Sequence, residues 1–302
     1  MKYFKILIML MWALYFISIS HSVKAQQLDN IEDQKPFNIS GNVGLNLVAY
    51  NVSGIEKRMD PFGFVFSANA ELSVYGFTMP FSIRYSDKKT DYTQPFNQFG
   101  LSPTYKWATA HIGYRNVSFS NFTLAGHNFL GGGLELNPGK FRFGFVYGRF
   151  KKSNESYEFA VDTLQSFTRR GYSARIGVGT QRTFVDIVFL KIKDDSTSLS
   201  NPKPEQYTPA EENLVGGINS RIGITKNLSF ENELAASFYT TDMAAASFEL
   251  NDSNKLLSSA EAFMNINQST ELLTAIRSSL NYNSTKFSTR LEYRRIDPGY
   301  RS

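Results

Sequence analysis

Apolar residues recur at every second position through most of the chain beyond residue 36. That is the strand period, because successive side chains of a strand point to opposite faces. Leu130 to Phe150, LGGGLELNPGKFRFGFVYGRF, shows it best. Setting Asn137 opposite Lys140 places Leu136 against Phe141, Leu134 against Phe143, Gly132 against Phe145 and Leu130 against Tyr147. The other face then pairs Glu135 with Arg142 and Gly133 with Gly144. Pro138-Gly139 favours a type II turn, which suits a two-residue hairpin less well than the primed types. A soluble sheet turns its apolar face inward. Here an aromatic and aliphatic face backs onto glycine and paired charge, which suits lipid outside and a polar lumen inside. For this stretch alone, one hairpin of a soluble β-sandwich is the alternative.

The same pattern continues along the chain. A first strand is expected from Phe37 to Tyr50, with Phe37, Ile39, Val43, Leu45 and Leu47 on one face. Phe62 to Val74 and Phe77 to Tyr85 form a hairpin about Tyr75-Gly76, with Val74 opposite Phe77. A weaker strand, Gly100 to Lys106, turns at Trp107-Ala108 into Thr109 to Asn116, with His111 and Arg115 inward. The strands on either side of Gln181-Arg182 follow, and the second has Val188, Leu190 and Ile192 on its inner face as well. Leu214 to Ile224 and Leu228 to Tyr239 pair about Thr225-Lys226-Asn227, so that Ile222 meets Phe230, Ile218 meets Leu234 and Arg221 meets Glu231. In the last hairpin Tyr282 meets Phe287, Ile276 meets Tyr293 and Arg277 meets Glu292. Ser258 to Met264 is compatible with a short helix.

Short turns thus alternate with long polar loops, the asymmetry of outer-membrane barrels. The expected fold is an antiparallel up-and-down transmembrane β-barrel with about thirteen strands in this chain. An odd count does not close a single-chain bacterial barrel, and Arg294 to Ser302 reads as the start of a loop. The expectation is therefore an incomplete barrel, the N-terminal portion of a longer protein.

Composition narrows the picture. A mean hydropathy of −0.28 is too low for a helical membrane protein, while 26 Phe and 16 Tyr supply an aromatic girdle. The absence of Cys excludes disulfides, thiolate metal sites and a lipoprotein anchor. A net charge of +5, spread along strands and turns, does not point to nucleic acid. Residues 1–25 read as a signal peptide. Lys2 and Lys5 precede an apolar run from Ile6 to Ile19, and Val23-Lys24-Ala25 ends it before Gln26. An uncleaved anchor is the alternative, although the run is short for a bilayer span. Residues 26–36 are then a short periplasmic leader and 37–302 the barrel in the outer membrane.

The chain also carries local resemblances. Tyr75-Gly76-Phe77, Gln94 to Leu101, Pro103 to Trp107, Thr123 to His127 and Arg295 to Arg301 resemble an uncharacterised, porin-like family of large outer-membrane β-barrel proteins of the Bacteroidota. The cleavage context Ala25-Gln26-Gln27 is similar to theirs. The resemblance covers most of the chain beyond the signal peptide. It implies location and fold, with further strands after the segment like Arg295 to Arg301. It implies no activity.

The inward charges are the candidate functional residues. The register gives three couples, Glu135/Arg142, Arg221/Glu231 and Arg277/Glu292. Arg84, Arg115, Arg175, Arg290 and Arg294 also face inward, as do Glu71 and Glu233. Either they line a pore whose basic excess favours anions, or they brace a filled lumen. The second role suits the couples better. Ser118, Ser120, Asn121 and His127 supply the residue types of a serine hydrolase site in one loop, but a solvated loop is the simpler reading. Two histidines with Glu135 or Asp162 show no metal-ligand spacing. Gly131-Gly132-Gly133 lies within a strand and suits close packing better than phosphate. No catalytic, cofactor or metal residue is expected. The partner expected is outer-membrane lipid. The function expected is porin-like passage of small solutes. The alternative is a non-transporting structural or surface-interaction barrel using its long loops, as part of an envelope assembly.

Overall fold

The computed structural model describes residues 37–55, 57, 61–87, 97–155, 165–201, 208–247 and 260–302. The segments expected to be signal peptide and leader lie outside them. Of the helix expected over 258–264, residues 258 and 259 also lie outside them, and the rest forms a single turn in which Met264 N donates to Ala260 O.

Among the described residues fourteen strands form one antiparallel up-and-down sheet. They are β1 (Asn38–Ala49), β2 (Phe62–Val74), β3 (Phe77–Ser86), β4 (Gln98–Leu101), β5 (Thr104–Tyr105), β6 (Ala108–Asn116) and β7 (Asn128–Leu136). There follow β8 (Phe141–Lys151), β9 (Thr168–Gly179), β10 (Phe184–Asp195), β11 (Glu212–Gly223), β12 (Leu228–Thr240), β13 (Thr270–Asn283) and β14 (Ser288–Ile296). Each pairs with its neighbours in sequence, except that β4 and β5 lie end to end between β3 and β6. Two prolines make that break. Pro103 has no N–H to donate, nor has Pro80 on the facing strand, whose carbonyl accepts from Ser102 N. The sheet path therefore has thirteen strand positions, as the periodicity predicts.

Turn chemistry fixes the registers. Tyr75 and Gly76 have φ of 45° and 79°, the paired positive values of a type I′ turn, and Val74 meets Phe77. The loop after β11 likewise places Ile222 against Phe230, Ile218 against Leu234 and Arg221 against Glu231. Three expectations are corrected. The turn after β5 is Lys106-Trp107, with Tyr105 opposite Ala108. Around Pro138 the register is two residues away from the expected one: Leu134 meets Phe145, Leu136 meets Phe143 and Glu135 meets Gly144. Phe141 N donates to Pro138 O, and Asn137 N is spent on Trp107 O of the adjacent turn, so β7 stops before Asn137. In the last hairpin Ser284 N donates to Phe287 O, which sets Tyr282 against Thr289, Ser278 against Tyr293 and Ser279 against Glu292. A slip of two keeps every side chain on its face, so the facial assignments stand.

Those faces are sharply different. Leu136, Phe143, Ile176, Ile187, Ile218, Leu234 and Ile276 form one outward row, a single residue from each of β7 to β13. Much of this face is open, with Ile187 64% and Ile176 56% exposed. The main apolar cluster lies on the opposite face. Five glycines stand in direct register on that inner face: Gly100, Gly113, Gly131, Gly148 and Gly171.

Candidate functional site: an infolded loop on a charged inner wall

The segment between β6 and β7 folds onto the inner face. Val117, Phe119, Phe122 and Leu124 bury themselves against Phe129, Val146, Val188, Leu190, Val215, Ala235 and Ala275. The solvated loop expected here is thereby corrected: Leu124 is fully buried and Ser120 nearly so. The apolar inner positions Val188 and Leu190 are the wall on which the loop docks.

Polar ties fix the loop. Asn121 Nδ2 donates to both carboxylate oxygens of Glu233, at 2.8 and 3.0 Å. Asn219 Nδ2 donates to Phe119 O at 3.3 Å. The Phe119 ring fills the space above Gly144, where a Cβ would lie 2.7 Å from it, and it carries the Arg175 guanidinium at 5.1 Å. Phe119 thus touches β8, β9 and β11. Neighbouring strands are about 4.8 Å apart, so β8 and β11 lie roughly 14 Å apart in a flat sheet. The C-terminal segment closes over the loop. The Tyr300 hydroxyl donates to Phe122 O, and His127 Nε2 is 2.8 Å from Ser302 O. Burial pushes the Tyr300 phenol up from its ordinary value.

The inner charges form networks that partly differ from the expected couples. Glu135 does not pair with Arg142. Its Oε1 lies 3.1 Å from His111 Nε2 and its Oε2 accepts from Arg175 Nη2 at 2.9 Å, across Gly144. Arg142 instead makes a bidentate bridge with Asp186, at 2.7 and 2.8 Å, and packs on the Phe184 ring. Gly177 stands in register between them, and a Cβ there would collide with Asp186. The two-residue slip about Pro138 explains the exchange, since it carries Arg142 past Glu135.

Arg221 and Glu231 bond as expected, Nε to Oε1 at 2.9 Å. Arg277 lies opposite Arg294, not Glu292, yet still reaches Glu292 diagonally at 3.6 Å. It also reaches Glu231 at 3.4 Å and Glu233 at 3.9 Å. Arg290 and Arg294 bind Glu292 as well. Arg115 donates to Ser82 Oγ at 3.4 Å, while Arg84 lines a separate cavity of about 540 Å³ with Asn46, Ser67, Asn69 and Gln98.

Ser102 Oγ lies 2.8 Å from His111 Nδ1, which extends the Glu135 network into a Ser–His–Glu relay. Ser102 and His111 are both buried, and neither lines any of the three main cavities. The relay braces β4 to β9. The loop residues that supply the types of a serine site do not converge on it: Asn121 is tied to Glu233, and His127 to Ser302. Asp162 lies outside the described residues, among which no three metal-ligating side chains converge.

At the loop end a second cavity of about 540 Å³ lies among Lys151, Arg169, Glu211, Tyr239 and Arg301. Arg169 binds Asp194 and Glu211, and Arg301 binds Glu211 and the Tyr239 hydroxyl. Burial would raise the Glu211 carboxyl, but Tyr239, Arg169 and Arg301 outweigh it and hold the group below the usual range.

No protein-family model matches the chain, and no curated protein matches it. Among solved structures it is similar to OccK8 (OprE) of Pseudomonas aeruginosa, at 8% identity and a TM-score of 0.36. That match covers 85% of this chain, which spans 66% of the other's length.

Proposed function

We propose that the chain is the wall of a porin-like outer-membrane β-barrel that passes small polar solutes, its lumen narrowed by the infolded loop 117–127. One observation carries this reading. Most of the long strands set an exposed apolar face against a polar face of charge and glycine, on which a segment docks over β7 to β13. Water does not favour a continuous apolar exterior of this extent, whereas a bilayer does. The loop blocks the inner wall over β7 to β13, and the polar cavity beside β1 to β4 offers the remaining path. Closure requires partners for the β1 and β14 edges.

Planar-bilayer recording of the full-length protein tests the reading. Discrete conductance is expected, and replacing residues 118–125 by a Gly-Ser linker should enlarge it. The buried loop also favours a second reading, a filled structural barrel. Correctly inserted protein that conducts in neither form would establish that reading instead.

A further inference from the structure

The outward row nearest the long loops differs from the apolar rows below it. In register it runs Leu130, Arg149, Arg170, Lys193 and Glu212 on β7 to β11. Arg149 lies directly opposite Arg170, and Arg170 directly opposite Lys193. Like charges facing each other across a sheet repel. Nearby acids do not cancel them. Glu212 accepts from Lys191 at 2.5 Å and lies 3.8 Å from Lys193. Asp195 interacts with Arg170 but is already bonded to the Thr197 backbone and hydroxyl. Among the described residues Arg149 donates to a neutral group, the Tyr114 hydroxyl, at 3.1 Å. Four cations among the described residues thus share two carboxylates.

One row nearer the turns, Tyr147 and Tyr172 stand opposite each other on the same face. Below them come Phe145 and Ala174; Phe189 continues the row but packs against Met264 and the Phe263 ring. Apolar residues, then tyrosines, then cations is the order met on passing from hydrocarbon to headgroups.

We propose that Arg149, Arg170 and Lys193 bind the phosphate of an anionic lipid headgroup on the outer wall, in the leaflet on the long-loop side. The site rests on the membrane reading above. Two guanidiniums on adjacent strands offer forked donors suited to phosphate oxygens, and the ammonium adds a point charge. A bound anion also relieves both like-charge oppositions.

The test uses the full-length protein in nanodiscs of phosphatidylcholine mixed with phosphatidylglycerol, with retained lipid counted by native mass spectrometry. The wild type should retain phosphatidylglycerol selectively. The triple variant R149Q/R170Q/K193Q should lose about tenfold or more of that retention. Arg170→Gln alone removes both oppositions and serves if the triple variant folds poorly; a loss of several-fold is expected. Protease protection reports insertion separately. Equal retention by inserted wild type and variants overturns the site and leaves the membrane reading standing. Displacement of the lipid by millimolar inorganic phosphate would show a free-phosphate site, not a lipid one. Failure of the wild type to insert overturns the membrane reading, and the site with it.

Discussion

At the scale of single residues, two of the arginine bridges, Arg142–Asp186 and Arg221–Glu231, should behave differently. Asp186 is fully buried and holds Arg142 in a pocket closed by Phe184 and Gly177. Asp186→Asn leaves that guanidinium uncompensated, a loss expected at about 3–5 kcal/mol. An apolar double replacement, R142M/D186L, should recover most of it. The Arg221 side chain is 42% exposed, and Glu231 keeps Arg277 as a second partner. Arg221→Ala should therefore cost only about 0–1 kcal/mol. Urea titration of the refolded protein in detergent measures both, and equal losses would contradict the burial difference. On the outer face, Phe145→Arg places a charge in the hydrocarbon band at a cost of about 2–4 kcal/mol. Folding yield into lipid vesicles should fall accordingly, and an unchanged yield would place Phe145 outside the bilayer.

At the scale of elements, register is the property to test, and the chain's lack of Cys makes the test clean. A Leu134→Cys/Phe145→Cys pair should oxidise to an intramolecular disulfide, whereas Leu134→Cys/Phe143→Cys should not, because bridging needs Cα atoms within about 7 Å. The reverse result would restore the pairing that apolar matching alone suggests. Faces were legible in the sequence because alternation is a strong signal. Register was legible only where the turn left a single choice, as at Tyr75-Gly76 and Thr225-Lys226-Asn227. Matching apolar partners cannot distinguish two registers that differ by two residues. Around Pro138 and Ser284 the backbone hydrogen bonds of the turn decide, and they are not visible in an apolar pattern. The docked loop was half legible. Val188, Leu190 and Ile192 are apolar on a face that otherwise reads as polar, and Val117, Phe119, Phe122 and Leu124 are apolar in a segment that otherwise reads as a loop. Each anomaly is the other's explanation.

At the scale of the whole molecule, the short turns all lie at one end and the long loops at the other, so tags should divide by side. A tag at Ser200 should be labelled on intact cells, and one at Gly139 only after permeabilisation; the opposite result would invert the topology. The infolded loop also carries a consequence for the order of assembly. Its ties span long stretches of chain: Asn121 to Glu233 across 112 residues and Tyr300 to Phe122 across 178. The hairpins, by contrast, close over a few residues each. Hairpins can therefore form early, while the loop has no docking wall until β8 to β12 stand side by side. Long-range closure comes late because its entropy must be met before any contact rewards it. Docking of residues 117–127 should be the last step of folding and the first of unfolding. Asn121→Ala should speed unfolding and leave the rate of strand assembly nearly unchanged.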